Sequence, residues 1–141
     1  MVALDHARTY RTNSVLTASP GQLVLMLYDG ALRALRLAQE GFAQSESDPR
    51  RLEGINKNLL KAQAIIGELQ GTLDHEAGGE FAATMHRLYD YYNRRLFEAN
   101  IRKDAKPVAE VERLLRDVRD AWAEMLLKQE PSRLEGIRGV A

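Results

Sequence analysis

Apolar residues recur along most of this chain at intervals of three and four, which is the spacing of a buried helix face. The pattern predicts four amphipathic helices, over residues 20–44, 49–73, 80–104 and 107–129. Short polar stretches separate them, and short connections place neighbouring helices antiparallel. We therefore predict an all-α fold, an antiparallel up-down-up-down four-helix bundle.

The residues outside the bundle form two terminal segments. Residues 1–18 lack a helical period but contain apolar side chains, which favours an irregular N-terminal arm that packs on the body. The bundle then occupies residues 19–129, and the sequence after Pro131 favours a flexible tail over residues 130–141. A chain of 141 residues has the length of one domain.

The first predicted helix carries more apolar surface than one core requires. Its start has the signature of a capping box, with Ser19 before Pro20 and Gln22 three residues after the serine. The stretch 23–28 is apolar or aromatic at every position, whereas a bundle helix buries about a third to a half of its circumference. The apolar residues left on its flanks include Leu25, Met26 and Leu32, and the small ones are Gly30, Ala34 and Gly41. Small residues let a second helix come close.

The third predicted helix also has surplus apolar surface. Its predicted core face includes Phe81 and Met85, whereas Tyr91 falls off this stripe. Phe97 and Ile101 stack one turn apart on nearly the opposite side of the helix. The second and fourth helices, by contrast, each have one apolar stripe; in the fourth helix it ends with Trp122 and Met125.

Surplus apolar residues on an exposed helix mark an interaction site. The physical hypothesis is a binding scaffold, on which a helical or unfolded partner segment docks along grooves beside the first and third helices. Two alternatives stay open. The N-terminal arm covers these residues, or a second copy of the protein buries them in a homodimer or other helical adaptor.

Composition argues against several other functions. Twenty basic and twenty acidic residues cancel, so no net field favours nucleic acid or an anionic membrane. The absence of cysteine excludes disulfides and thiolate chemistry and fits a reducing cytosol. No apolar run approaches the roughly 20 residues of a membrane span. We therefore expect a cytosolic protein with no nucleic-acid partner and no direct membrane insertion.

The sequence contains no recognisable catalytic constellation. Dinuclear metal sites in helical bundles use Glu-x-x-His pairs, and neither His75 nor His86 has a glutamate three residues before it. No serine has a histidine and a carboxylate at recognisable positions around it. We predict no enzyme activity, no metal and no cofactor, with a carboxylate-bridged metal enzyme on the same bundle as the alternative.

Four stretches of the chain are similar to a known family. They are YRTNSVLTASPGQLVLMLYDGALRAL, KAQAIIGELQGTLD, LYDYYNRRLFEANIRKD and VERLLRDVRDAW, which fall in order over roughly residues 8–128. Together they resemble the FliS family of flagellin-export chaperones. The resemblance implies a cytosolic bundle that binds the disordered C-terminal region of flagellin and prevents its premature polymerisation. It also implies delivery to the flagellar type III export gate, where the cytoplasmic domain of FlhA receives the complex.

The resemblance assigns family motifs to particular positions. The family's arm tyrosine matches Tyr10, its TASP helix start matches residues 17–20, its LYDG matches residues 27–30, and its YDY-x-x-RRL-x-EAN run matches residues 89–100. The resemblance and the surplus apolar surface give these candidate partner-binding residues: Tyr10, Leu25, Met26, Leu32, Tyr91, Phe97, Asn100 and Ile101. We predict that the arm around Tyr10 covers part of a groove and rearranges when the partner binds.

Overall fold

The computed structural model describes the backbone of residues 18–140 and the side chains of residues 18–129. This part of the chain folds into four helices: α1 (Pro20–Ala43), α2 (Arg51–Gly71), α3 (His75–Arg102) and α4 (Ala105–Val140). Each helix packs on the next, and α4 packs back on α1. The predicted all-α four-helix bundle is confirmed, whereas the predicted N-terminal arm and Tyr10 lie outside the described residues.

Polar contacts between α2 and α3 show that these neighbours run in opposite directions. Near the start of α2, Asn56 accepts a hydrogen bond of 2.8 Å from Asn100, close to the end of α3. Further along α2, Gln63 and Asn93 each donate a side-chain amide proton to the other's backbone carbonyl, both at 3.3 Å. These bonds fix the register of the two helices.

Small residues on one side of α1 allow α2 to pack close to it. Ala34 and Gly41 are buried, and a Cβ atom added at Gly41 would lie 2.8 Å from Cγ1 of Ile55 on α2. Ile55 is fully buried and has little freedom to move aside. The prediction that the small flank of the first helix admits a second helix is confirmed.

A polar cluster joins α3 to α4 in the half of the bundle near their connecting turn. Tyr91 donates its hydroxyl proton to Glu110, and Arg95 donates to the same carboxylate at 3.0 Å. Arg95 also contacts Glu98 at 3.0 Å. The bonds from Tyr91 and Arg95 hold the pKa of Glu110 below its usual value. We call Tyr91, Arg95 and Glu110 the α3–α4 clamp.

The start of α3 differs from the prediction. Helical structure begins at His75 rather than at residue 80, because the Asp74 carboxylate accepts hydrogen bonds from the backbone N–H groups of Glu76 and Ala77. Gly79 then interrupts the helix with φ of 51° and ψ of −124°, a conformation that glycine adopts readily. The predicted glycine break is present, but a capped helical turn precedes it.

The fourth helix is longer than predicted. Its backbone stays helical to Val140, whereas we expected an end near residue 129. Pro131 removes one backbone donor, but the sequence Arg133-Leu134-Glu135 that follows favours helix. The flexibility of residues 130–141 stays a prediction.

The close approach of α1 and α2 leads to a first prediction. Gly41→Ala should lower the free energy of unfolding by about 1–2 kcal/mol, because overpacking against Ile55 exceeds the gain in helix propensity. Gly67→Ala is the matched control, since nothing lies within 4 Å of its added Cβ. It should raise stability by about 0.5–1 kcal/mol. Urea denaturation measures both, and equal stabilisation by the two alanines would contradict the close contact.

The α3–α4 clamp leads to a second prediction, on pH. The depressed pKa of Glu110 means that its charge stabilises the fold above its usual pKa of about 4.3, and that this stabilisation is lost as pH falls through the lower folded value. Glu110→Gln should therefore lower stability at neutral pH and make stability fall less steeply below about pH 5. Denaturation at a series of pH values tests this. Glu53→Gln, an exposed position in the first turn of α2, is the control, and an identical pH slope in the two variants would refute the prediction.

Candidate functional site

An apolar groove opens between α3 and α4 at the end of the bundle remote from the α3–α4 turn. Its volume is about 800 Å³. We call it the α3–α4 groove. Apolar side chains dominate its lining, which includes Val24, Tyr28, Leu73, Phe81, Met85, Tyr89, Val118, Trp122 and Met125. The groove therefore exposes part of the bundle interior along one seam.

The polar bonds of α4 go to α3 in one half of the helix and to α1 in the other. At Glu110 it is joined to α3 by the clamp. Further along α4, Arg119 donates a hydrogen bond of 2.8 Å to Asp29 of α1. The Trp122 indole N–H donates one of 2.9 Å to the backbone carbonyl of Gly21, also on α1. These bonds draw α4 towards α1, so the space beside α3 stays open.

Phe81 corrects the sequence interpretation of α3. It was predicted on the core face, but 66% of it is exposed and it lines the groove. Phe81 would be buried only if α4 packed against this part of α3, but the groove separates the two helices here. Met85, one turn further along, is buried as predicted.

Two tyrosines from diagonally opposed helices meet beneath the groove. The hydroxyl groups of Tyr28 on α1 and Tyr89 on α3 are hydrogen-bonded to each other. Both residues are buried and both line the groove. Burial raises the pKa of both hydroxyls, so they stay protonated at physiological pH. The charged residues lining the groove, Asp74 and Asp117, are both acidic.

Phe97 and Ile101 lie on a second surface, away from the groove. They are 58% and 67% exposed on the outer side of α3. Leu60 of α2 is 53% exposed. It lies at the same height along the bundle as Phe97, because both residues fall between the Asn56–Asn100 and Gln63–Asn93 hydrogen bonds. We call Leu60, Phe97 and Ile101 the outer α2–α3 surface.

The three candidates on α1 have different surroundings. Leu25 is half-buried and lines a smaller groove against Leu126 and Leu127 of α4. Met26 is exposed on another side of the helix. Leu32 packs against the core, which leaves it little surface for a partner.

Tyr91 and Asn100 have bonding partners within the bundle. The Tyr91 hydroxyl belongs to the clamp, and Asn100 bonds Asn56 and accepts from Lys103. Their part in partner binding stays a prediction, but each contributes to helix pairing. The structure thus distributes the described candidates over several surfaces and does not bring them into one site.

The sequence interpretation missed the groove itself. Trp122 and Met125 were placed on the core stripe of the fourth helix, yet Met125 is 39% exposed and both line the groove. One sequence signal was available: Trp122 is the chain's single tryptophan and lies near the predicted end of its helix. Periodicity identifies the apolar face but not the distance to the neighbouring helix.

The described residues limit the chemistry of these surfaces. Among them, no three His, Cys, Asp or Glu side chains come together as ligands for a metal ion. No described helix is long and apolar enough to cross a membrane. What the α3–α4 groove offers is apolar contact area for a segment with a matching apolar face.

Comparisons with known proteins identify one family that the chain resembles over most of its length. Residues 3–130 match the family model described as flagellar protein FliS. The flagellar secretion chaperone FliS of Bacillus subtilis is 43% identical over 132 residues, which cover 94% of this chain and 93% of the relative. Proteins of the same name from Salmonella typhimurium and Escherichia coli are 40% identical over 121 residues and 42% identical over 116 residues. These alignments cover 85% and 82% of this chain, and 86% and 82% of the relatives.

Similarity of this extent spans α1 to α3 and most of α4, so it includes the clamp and the groove. The chain belongs to the FliS family of flagellar secretion chaperones, which are chaperones and not enzymes.

Proposed function

We propose that this protein is a cytosolic export chaperone that binds the C-terminal segment of flagellin. Bound in this way, flagellin is kept from premature polymerisation and is delivered to the flagellar type III export gate. Family membership supports the chaperone role, and the open α3–α4 groove is the observation that carries the binding mode.

An unassembled filament protein exposes surfaces that are buried in the filament. Its terminal segments have apolar faces that associate with one another when left uncovered. Docking such a face in the α3–α4 groove removes it from water, and the apolar area buried offsets the entropy lost when the segment orders. The groove is formed by helices held at both flanks, so the bundle itself needs little rearrangement.

The other apolar surfaces extend the proposed contact. Leu25 lies beside Leu126 and Leu127 in the later part of α4, Met26 is exposed on α1, and Phe97 and Ile101 belong to the outer α2–α3 surface. A long, disordered client can contact several separated patches more easily than a globular one can. The disordered chain takes its shape as it binds, so it can wrap around the chaperone. We propose these patches as secondary contacts and the groove as the principal one.

Delivery requires a second partner. We propose that the complex of chaperone and flagellin docks on the cytoplasmic domain of FlhA at the export gate. The resemblance to the FliS family supports this step. A homodimer that buries the apolar patches is the alternative; a monomeric mass that does not change with concentration would contradict it.

Binding in the groove can be tested with a flagellin C-terminal peptide from the same organism. Calorimetry should give one-to-one binding with a negative heat-capacity change, and the emission of Trp122, the single tryptophan, should shift when the groove fills with a tryptophan-free peptide. Phe81→Asp should weaken binding by roughly tenfold or more, because a carboxylate would lose water against apolar surface.

Leu52→Asp is the matched control for Phe81→Asp. Leu52 is 52% exposed near the start of α2, at the opposite end of the bundle from the groove. Leu52→Asp should leave the peptide affinity within about twofold of the parent value, since an exposed carboxylate at this position stays hydrated. Equal loss in both variants, or binding with no change in Trp122 emission, would place the client elsewhere. No binding by the parent protein would refute the proposed function.

The N-terminal arm gives a separate prediction. If the arm around Tyr10 covers part of a groove in the free protein, Tyr10→Ala should change peptide affinity while thermal unfolding of the bundle stays close to that of the parent. The arm competes with the client, so removing its anchor alters the competition and not the core. Equal affinity of the Tyr10→Ala variant and the parent for the peptide would contradict the prediction that the arm covers part of a groove.

A further inference from the structure

Tyr28 and Tyr89 carry two hydroxyl protons, but the bond between them uses only one. Within the described residues, neither hydroxyl has another hydrogen-bond partner. Each hydroxyl can donate one proton and accept others. The hydroxyl that accepts therefore retains an O–H group with no protein acceptor, in a pair whose residues are 3% and 2% exposed.

This remaining O–H group matters when the groove is covered. Both tyrosines line the α3–α4 groove, whose other lining is largely apolar. In the free protein, water in the groove can accept the proton. A bound segment that displaces this water without supplying an acceptor would leave a buried donor unsatisfied, which is costly compared with a satisfied one.

We propose that the Tyr28–Tyr89 pair is a specificity-determining contact of the groove, which donates one hydroxyl proton to a carbonyl oxygen of the bound client. The inference rests on the proposed function, because it takes the groove as the client site. It adds a polar requirement that apolar area alone does not impose: a client segment needs a hydrogen-bond acceptor where it crosses the tyrosines.

The charged residues that line the groove favour a neutral hydrogen-bond acceptor on the client over a carboxylate. Asp74 and Asp117 line it, and no basic residue does so among the described residues. A client carboxylate would be repelled by these two charges and would lose hydration, whereas a neutral amide carbonyl is not subject to that repulsion. The acceptor is therefore an Asn or Gln side chain, or a backbone carbonyl left unpaired at the end of a client helix.

Phenylalanine substitutions separate this role from a structural one. Tyr28→Phe and Tyr89→Phe each leave one hydroxyl, which can still donate to the client. The double variant leaves none, and it replaces both partners of the internal bond by apolar groups of the same shape. Tyr92→Phe is the matched control, since Tyr92 is a buried neighbour of Tyr89 on α3 with ring centroids 6.2 Å apart and does not line the groove.

The experiment measures affinity for the flagellin C-terminal peptide by calorimetry and the unfolding midpoint by thermal denaturation. The double variant should bind about three- to tenfold more weakly than either single variant, which corresponds to one net hydrogen bond. It should nevertheless unfold at a midpoint no lower than either single variant, because each of those leaves a hydroxyl without its internal partner. The Tyr92→Phe control should bind like the parent.

Two results would overturn the inference while leaving the proposed function intact. The double variant could bind as tightly as the single variants, which would show that no hydroxyl donates to the client. Its weaker binding could also accompany an unfolding midpoint below those of the single variants, which would mean that the pair acts only through stability. Failure of the parent protein to bind the peptide would overturn the proposed function and this inference together.

Discussion

The position of α4 is the constraint on which the rest of this structure depends. Near its start it is joined to α3 through Glu110, and further along it is joined to α1 through Arg119 and Trp122. A four-helix bundle with uniform contacts would close its interior along every seam. Here α4 is bonded to α1 in the half of the bundle where the seam beside α3 stays open, and to α3 in the other half.

Much of the fold could be predicted from the sequence, because helix periodicity and turn residues act locally. The four helices and the capping box at Ser19 follow from residues a few positions apart, and the close packing at Gly41 follows from the small residues that share one flank of α1. The extent of α4 did not follow, since a proline marks a weak point in a helix but does not fix its end.

The candidate site was predictable only in part. Exposure of Phe97 and Ile101 followed from their place on the helix opposite the core face. The groove could not be predicted from the sequence, because it lies beside long-range contacts. One of these is the hydrogen bond from Trp122 to Gly21, two residues separated by most of the chain. Tyr91 shows the converse: it lies off the apolar stripe, and its hydroxyl bonds Glu110 in the clamp, a contact that periodicity did not predict.

The division of α4 into a clamped part and a groove-lining part has a consequence for sequence divergence. The clamp residues fix where the helices lie, whereas Phe81 and Met125 shape the groove with much of their surface open to solvent. Substitutions at such partly open positions disturb the core little. The lining of the groove can therefore diverge while the helices keep the same arrangement, and under the proposed function such divergence would change which client segments bind.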